Sequence, residues 1–150
     1  GTGMVMMEER KGWLGLMATA TADRLQALWE GTGMSPDYTM LRQPETGAVM
    51  VRGRAGSTGD AFNMGEMTVT RASLKLADGT VGHGWCQGRS RRQATLIALV
   101  DAMMQGENAA QIDAAILAPL REARAERHVA MAERAAATKV DFFTMARGED

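Results

Sequence analysis

The sequence predicts an α+β domain: a four-stranded, mainly antiparallel sheet made of two hairpins, packed with N-terminal helices, a central buried helix and C-terminal helices. Three observations lead there. Residues 66–77 and 80–87 read as strands on either side of Asp78-Gly79, a strong two-residue hairpin signal. Residues 37–43 and 48–54, short and partly β-branched, flank the turn sequence Pro44-Glu45-Thr46-Gly47. Finally, Leu96, Ile97, Leu99, Val100, Met103 and Met104 make one segment apolar nearly all round, as in a helix buried on every side.

At 150 residues and 45% hydrophobic content, the chain fits a single domain over 1–150 and leaves little material for a second. Within it, residues 1–12 are expected to be disordered or vector-derived, and 139–150 form a C-terminal tail. Residues 6–19 and 21–31 follow as two amphipathic helices, the second presenting Leu25, Leu28 and Trp29 and stopping at Gly31 and Gly33. The first predicted hairpin comes next. Residues 55–65 lack periodicity, contain three glycines and read as a loop anchored by Phe62. In the strand after it, Met67 and Val69 share one face and Ala72, Leu74 and Leu76 the other, which predicts a bulge or sharp twist near Thr70-Arg71.

Ser90 and Gln93 then form a capping box at the start of the central helix. Helical sequence resumes at Ala109 until Pro119, where a break or kink is expected, and a last helix covers 120–138. That helix holds no opposite-charge pair at i+3 or i+4, so the usual ~0.2–0.5 kcal/mol per pair is missing. It is either a solvated, alanine-rich helix or one whose charges another subunit pairs. In the tail, Phe142 and Phe143 stand side by side; on an alternating strand one ring would dock on this domain and the other elsewhere.

Charge and cysteine content narrow the function. Seventeen basic and eighteen acidic residues nearly cancel, which opposes any long-range attraction to nucleic acid or an anionic membrane. The single cysteine, Cys86, excludes an intrachain disulfide and fits the cytoplasm. Arg10-Lys11 followed by GWLGLMATATA imitates a secretion signal. However, Glu8 and Glu9 precede the basic pair, Gly12 and Gly15 interrupt the run, and Trp13, Leu16 and Met17 form a helical face.

The richest stretch is GWCQGRSRRQ, residues 84–93, where a strand turns into a helix. Arg89, Arg91 and Arg92 gather at a helix start that already carries partial positive charge, so an anion is expected there. Arg89, Ser90, Arg91, Arg92, Arg71 and Gln87 are the candidates for binding it, whether it is a phosphate or a partner's carboxylate. Asp60, Glu66 or Asp101 could equally answer these charges within the chain. The stretch is no nucleophile elbow, because Arg92 replaces the last glycine, and Gln87 spoils a dinucleotide loop. His83 and Cys86, three apart on a strand, point to opposite faces, so no metal site is expected. Gly82, Gly84, Cys86 and Gly88 share a flat face open to close approach by a helix or a ligand.

In this order G-S-T-G-D-A-F, E-M-T-V-T-R-A, D-G-T-V-G, W-C-Q-G-R, A-L-V-D-A-M-M-Q and the tail V-D-F-F-T-M-A-R-G resemble the PhnG subunit of the bacterial carbon-phosphorus lyase system. The likeness runs from Trp13 to Gly148. It implies a protein that works with PhnH, PhnI and PhnL to displace the adenine of ATP by a phosphonate such as methylphosphonate, giving α-D-ribose 1-methylphosphonate 5-triphosphate. It also implies a core assembly with PhnH, PhnI and PhnJ in which each subunit is present twice. Nucleosidase chemistry is attributed to PhnI and radical cleavage to PhnJ, and no catalytic residue carries over to this chain.

The resemblance therefore implies an accessory subunit of a transferase complex. It would be inactive alone and without a cofactor of its own, ATP being the substrate of the complex; neither nucleic acid nor membrane is a partner. Arg124, Arg127, Arg134, Phe142, Phe143 and Arg147 are the partner-interface candidates. The competing readings are a free-standing anion or nucleic-acid-binding module built on Arg89, Arg91 and Arg92, and a self-sufficient enzyme using Glu66, His83 or Asp101.

Overall fold

The computed structural model describes the backbone of residues 2–54 and 61–148, and side chains over 8–50 and 65–137. Helices α1 (Thr2–Ala18) and α2 (Ala22–Gly31) precede strands β1 (Tyr38–Arg54), β2 (Ala61–Leu76) and β3 (Val81–Gln87). The central helix α3 (Arg91–Met104) follows, then the short α4 (Ala109–Ile112), a π-helical turn (Asp113–Leu117) and α5 (Ala118–Gly148). Thus α1 begins within the stretch expected to be disordered or vector-derived.

The sheet has three strands in the order β1-β2-β3, all antiparallel, which corrects the four-stranded expectation. The expected first hairpin does not form. Residues 38–54 run as one strand along β2, and Gly47, opposite Val69, is not among the glycines with positive φ that a tight primed turn requires. Pro44 survives inside a strand because β1 is an edge, where a missing N–H costs no ladder bond. The turn-like residues become register irregularities between Met40 and Arg42 and between Arg42 and Glu45.

Those irregularities lie in β1, opposite the site where β2 was expected to bulge. Against β3, β2 pairs one to one from Val69↔Gln87 to Lys75↔Val81. The shift of apolar phase has another cause. Thr70, Ala72 and Leu74 are buried towards the helices, whereas Val69 is buried on the opposite face. β2 also begins at Ala61, so the last five residues of the expected 55–65 loop are strand, while 55–60 lie outside the described residues, as does the Phe62 side chain.

The hairpin forms at Asp78-Gly79, with three residues, 77–79, between the closing pair instead of the two expected. Gly79 takes φ +94°, Leu76 and Thr80 close the turn at 2.8 Å, and the Asp78 carboxylate accepts the Thr80 N–H at 2.9 Å. That hydrogen bond holds the Asp78 carboxyl below its usual pKa.

The central helix α3 is buried from Gln93 to Met103 save for half-buried Thr95. Its Ala94, Ala98 and Ala102, one turn apart, lie over Gly84 and Gly82. A Cβ at Gly82 would sit 1.9 Å from the Ala98 carbonyl oxygen, and one at Gly84 2.1 Å from that of Ala94. At Gly82 and Gly84 the flat face is therefore filled by helix backbone, whereas a Cβ at Gly88 would meet nothing within 4 Å. Trp13, Leu16, Met17 and Leu25 from α1 and α2 meet Ile97 and Val100 of α3, with Ile112, Ile116, Leu117 and Leu120 completing the core.

Pro119 does not end the helix. The π-helical turn just before it widens the spiral where a proline would lose a backbone bond and press on the carbonyl four residues back. Beyond it α5 runs unbroken for 31 residues, about 46 Å, through the segment expected as a tail. Within its described side chains only Leu120 is buried, and Val129 and Met131 are 58% and 60% exposed.

Candidate functional site

The arginine junction follows from its local sequence. Gly88 takes φ +95°, turning β3 out of the sheet, and the Thr70 hydroxyl donates to its carbonyl at 2.7 Å. Ser90 caps α3, its hydroxyl accepting the Gln93 N–H at 3.1 Å, so half of the expected capping box is present. The other half is replaced. The Gln93 amide donates to the carbonyls of Met17 and Ala20 at 3.3 and 2.7 Å, closing the C-terminal end of α1.

Of the three arginines, Arg92 pairs with Asp23 of α2 at 2.8 Å. Both side chains are largely in water, 54% and 94% exposed, so the pair contributes at most about 1 kcal/mol. Neither Arg89 nor Arg91 makes an ion pair or hydrogen bond among the described residues. None of the expected internal acids reaches the junction: Glu66 is exposed on β2 and Asp101 is held elsewhere, while Asp60 lies outside the described residues. Arg91 and Arg92 overlook a cleft of about 420 Å³ whose floor includes Trp29, Tyr38 and Leu99.

The other two anion candidates stand apart. Arg71 and Gln87 are exposed on the sheet face turned away from α3, where Arg71 lines a separate cleft of about 490 Å³ with Arg42, Ser73, His83 and Trp85. His83 shares that open face while Cys86 is buried under α3, as the strand spacing required. Burial raises the Cys86 thiol pKa, partly offset by backbone hydrogen bonding at Ser90 and Ala94; the thiol itself donates to the Ser90 carbonyl at 3.4 Å.

The interface candidates on α5 spread along its length. Arg124 lines a cleft of about 630 Å³ with Trp13, Asp113 and His128, Arg127 lines another with Thr19 and Arg24, and Arg134 projects further out. None of the three is ion-paired among the described residues. Arg121 does have a partner, Asp113 on the π-helical turn. The side chains of Phe142, Phe143 and Arg147 lie outside the described residues; their backbone is helical and not the strand expected of the tail.

Asp101 plays a part that its sequence context concealed. Fully buried, it accepts Arg10 Nη2 at 2.7 Å, Trp13 Nε1 at 2.8 Å and the His83 backbone N–H at 2.9 Å. Four residues on, the Gln105 amide donates to the Val81 carbonyl at 2.9 Å. Side chains one turn apart at the end of α3 thus satisfy two outward-facing backbone groups of β3, on an otherwise open sheet edge. In sequence, an acid inside a solidly apolar helix was the available signal, because burial demands a partner.

These features define a class: a packed α+β body with an open sheet face, a cation-rich junction and a long projecting helix. Among the described residues no cluster of His, Cys, Asp and Glu could hold a metal, and Ser73 and His83, 2.8 Å apart, have no carboxylate on the imidazole. The family described as phosphonate metabolism protein PhnG matches residues 8–148. A relative from Rhizobium meliloti (strain 1021), named alpha-D-ribose 1-methylphosphonate 5-triphosphate synthase subunit PhnG, is 44% identical over 147 residues, covering 95% of this chain and 91% of the relative. The chain belongs to the PhnG family.

Proposed function

We propose that this chain is the PhnG-type subunit of a multi-subunit synthase. That synthase replaces the adenine of ATP by methylphosphonate to give α-D-ribose 1-methylphosphonate 5-triphosphate in phosphonate catabolism. The observation that carries this reading is the 44% identity, spread over nearly the whole of both chains, to a subunit of that name. Its partners are PhnH-, PhnI-, PhnJ- and PhnL-like proteins of the cytoplasm. An accessory role fits the geometry: the described residues offer exposed guanidinium groups and uncovered elements, not a nucleophile with its base and acid.

Within this reading Arg89 and Arg91 meet either a partner's carboxylates or the triphosphate, since both are charged, exposed and without an answering acid in the described part of the chain. The test is co-expression with the neighbouring phosphonate-system subunits, with Arg89→Ala and Arg91→Ala scored separately for assembly and adenine release. Assembly retained with release lost places the junction beside the chemistry; assembly lost makes it an interface. Both retained would remove the junction from the reading. Robust adenine release by the isolated chain would overturn the accessory role itself.

A further inference from the structure

The open sheet face carries a second cationic site. In register, Arg42 stands opposite Ser73 and Ser73 opposite His83; one row along, Arg71 stands opposite Trp85. Residues opposed in an antiparallel sheet share a face with Cβ atoms ~4.5–5.5 Å apart, so these five side chains form one patch. They line a single cleft of about 490 Å³ whose floor is apolar, with Val69 and Met67.

The patch is rich in donors and poor in answering acids. Arg42 and Arg71 make no hydrogen bond or ion pair among the described residues, and Glu45, opposite Arg71, does not pair with it. Ser73 Oγ lies 2.8 Å from His83 Nδ1. When the hydroxyl donates, Nδ1 is the acceptor and the ring proton sits on Nε2, a further donor. Trp85 is 41% exposed, beside Arg71, and offers a flat aromatic surface. Two guanidinium forks suit the oxygens of a phosphoryl group, and an indole face suits a planar ring joined to it.

We infer that this face binds a phosphorylated ligand bearing a planar ring, a nucleoside phosphate in chemical class. The phosphoryl oxygens lie between Arg42, Arg71 and the Ser73–His83 pair, and the ring lies on Trp85. The site is independent of the junction, because Arg91 and Arg92 line a different cleft. The ligand class is that of the synthase's substrate, so the inference rests on the subunit reading; ATP binding and assembly are scored separately, so failure of one is distinguishable from failure of the other.

The test uses the purified full chain, with ATP as the probe and inorganic tripolyphosphate as the competitor that lacks a ring. Saturable quenching of tryptophan fluorescence by ATP is expected, with loss of most of the quench in Trp85→Phe. Arg71→Gln and Arg42→Gln are expected to weaken binding tenfold or more, and tripolyphosphate to displace ATP. Both arginines are exposed, so the variants should fold; matching circular dichroism melts check this. The proposal is overturned by an absence of saturable binding, by binding unchanged in both arginine variants, or by failure of tripolyphosphate to compete. Binding lost in Arg91→Gln but kept in Arg71→Gln would move the ligand to the junction and overturn it too. So would a chain that binds no ATP but whose Arg42→Gln and Arg71→Gln variants fail to assemble, since the face would then be a protein interface.

Discussion

The Asp101 carboxylate accepts the backbone N–H of His83 at 2.9 Å and, on its other oxygen, the indole N–H of Trp13 at 2.8 Å. One buried acid therefore ties α1, α3 and the outer strand together. Asp101→Ala should cost about 2–5 kcal/mol, because it leaves the Trp13 indole and the His83 backbone N–H without their acceptor and half-buried Arg10 without its carboxylate. Trp13→Phe, which removes one donor and little volume, should cost about 1–3 kcal/mol. Urea unfolding of both single variants and the double variant gives the coupling; a sum of the two single effects in the double variant would contradict the shared network.

Gly84 and Gly82 touch α3 through bare backbone, so a methyl at either position has to push a helix away. Gly84→Ala should lower stability by about 3 kcal/mol or more, at or beyond the usual range for overpacking. Gly12, on the exposed side of α1 with nothing within 4 Å of a built Cβ, is the contrast. Gly12→Ala should raise stability by about 0.5–1 kcal/mol. Thermal melts that show equal losses at both sites would refute the close helix–strand contact.

The Asp113–Arg121 pair should give a small acid-dependent contribution. The Arg121 hydrogen bond lowers the Asp113 carboxyl pKa, outweighing partial burial, which raises it. A depressed carboxylate stabilises the fold above its unfolded pKa of about 4 and loses that contribution as pH falls through the folded value. The pair is roughly half exposed, so Asp113→Asn should cost only about 0.2–1 kcal/mol at neutral pH. The difference from the parent chain should vanish at the acid end of a pH series of urea melts; a constant difference would rule out charge as its origin.

Cys86 should be inert in the folded chain. It is fully buried and burial raises its pKa, so at pH 8 thiolate is scarce and reagent has no path to it. Alkylation should follow the unfolding rate and become immediate in urea. Rapid labelling of the native chain would show that α3 opens locally away from β3.

What the sequence made legible was local. Asp78-Gly79 and Ser90 carried signals that bind residues two or three positions away, and the all-apolar run of α3 announced burial without needing a partner's address. Contacts across the chain were hidden. Nothing near Gln93 says that its amide ends α1, and nothing near Arg92 points to Asp23. Pro44-Glu45-Thr46-Gly47 misled for a physical reason: an edge strand tolerates the residues that usually turn a chain. Arg71, His83 and Trp85 could be grouped by strand parity and the Asp78-Gly79 turn, but Arg42 needed the irregular register of β1. The arginine junction was visible as a cluster, yet only geometry shows Arg71 on the opposite side of the sheet.

The first turns of the 31-residue α5 flank α1, sharing clefts with Trp13 and Leu16, and beyond His128 its described side chains are exposed. Mechanically it is a boom whose pivot is that flanked root. From Leu120 to Gly148 the helix spans about 42 Å, so a tilt of about 10° at the pivot carries the far end through about 7 Å. The width of the π-helical turn just before α5 therefore sets the direction in which the far end of α5 points, more than anything in the sequence of that far end itself.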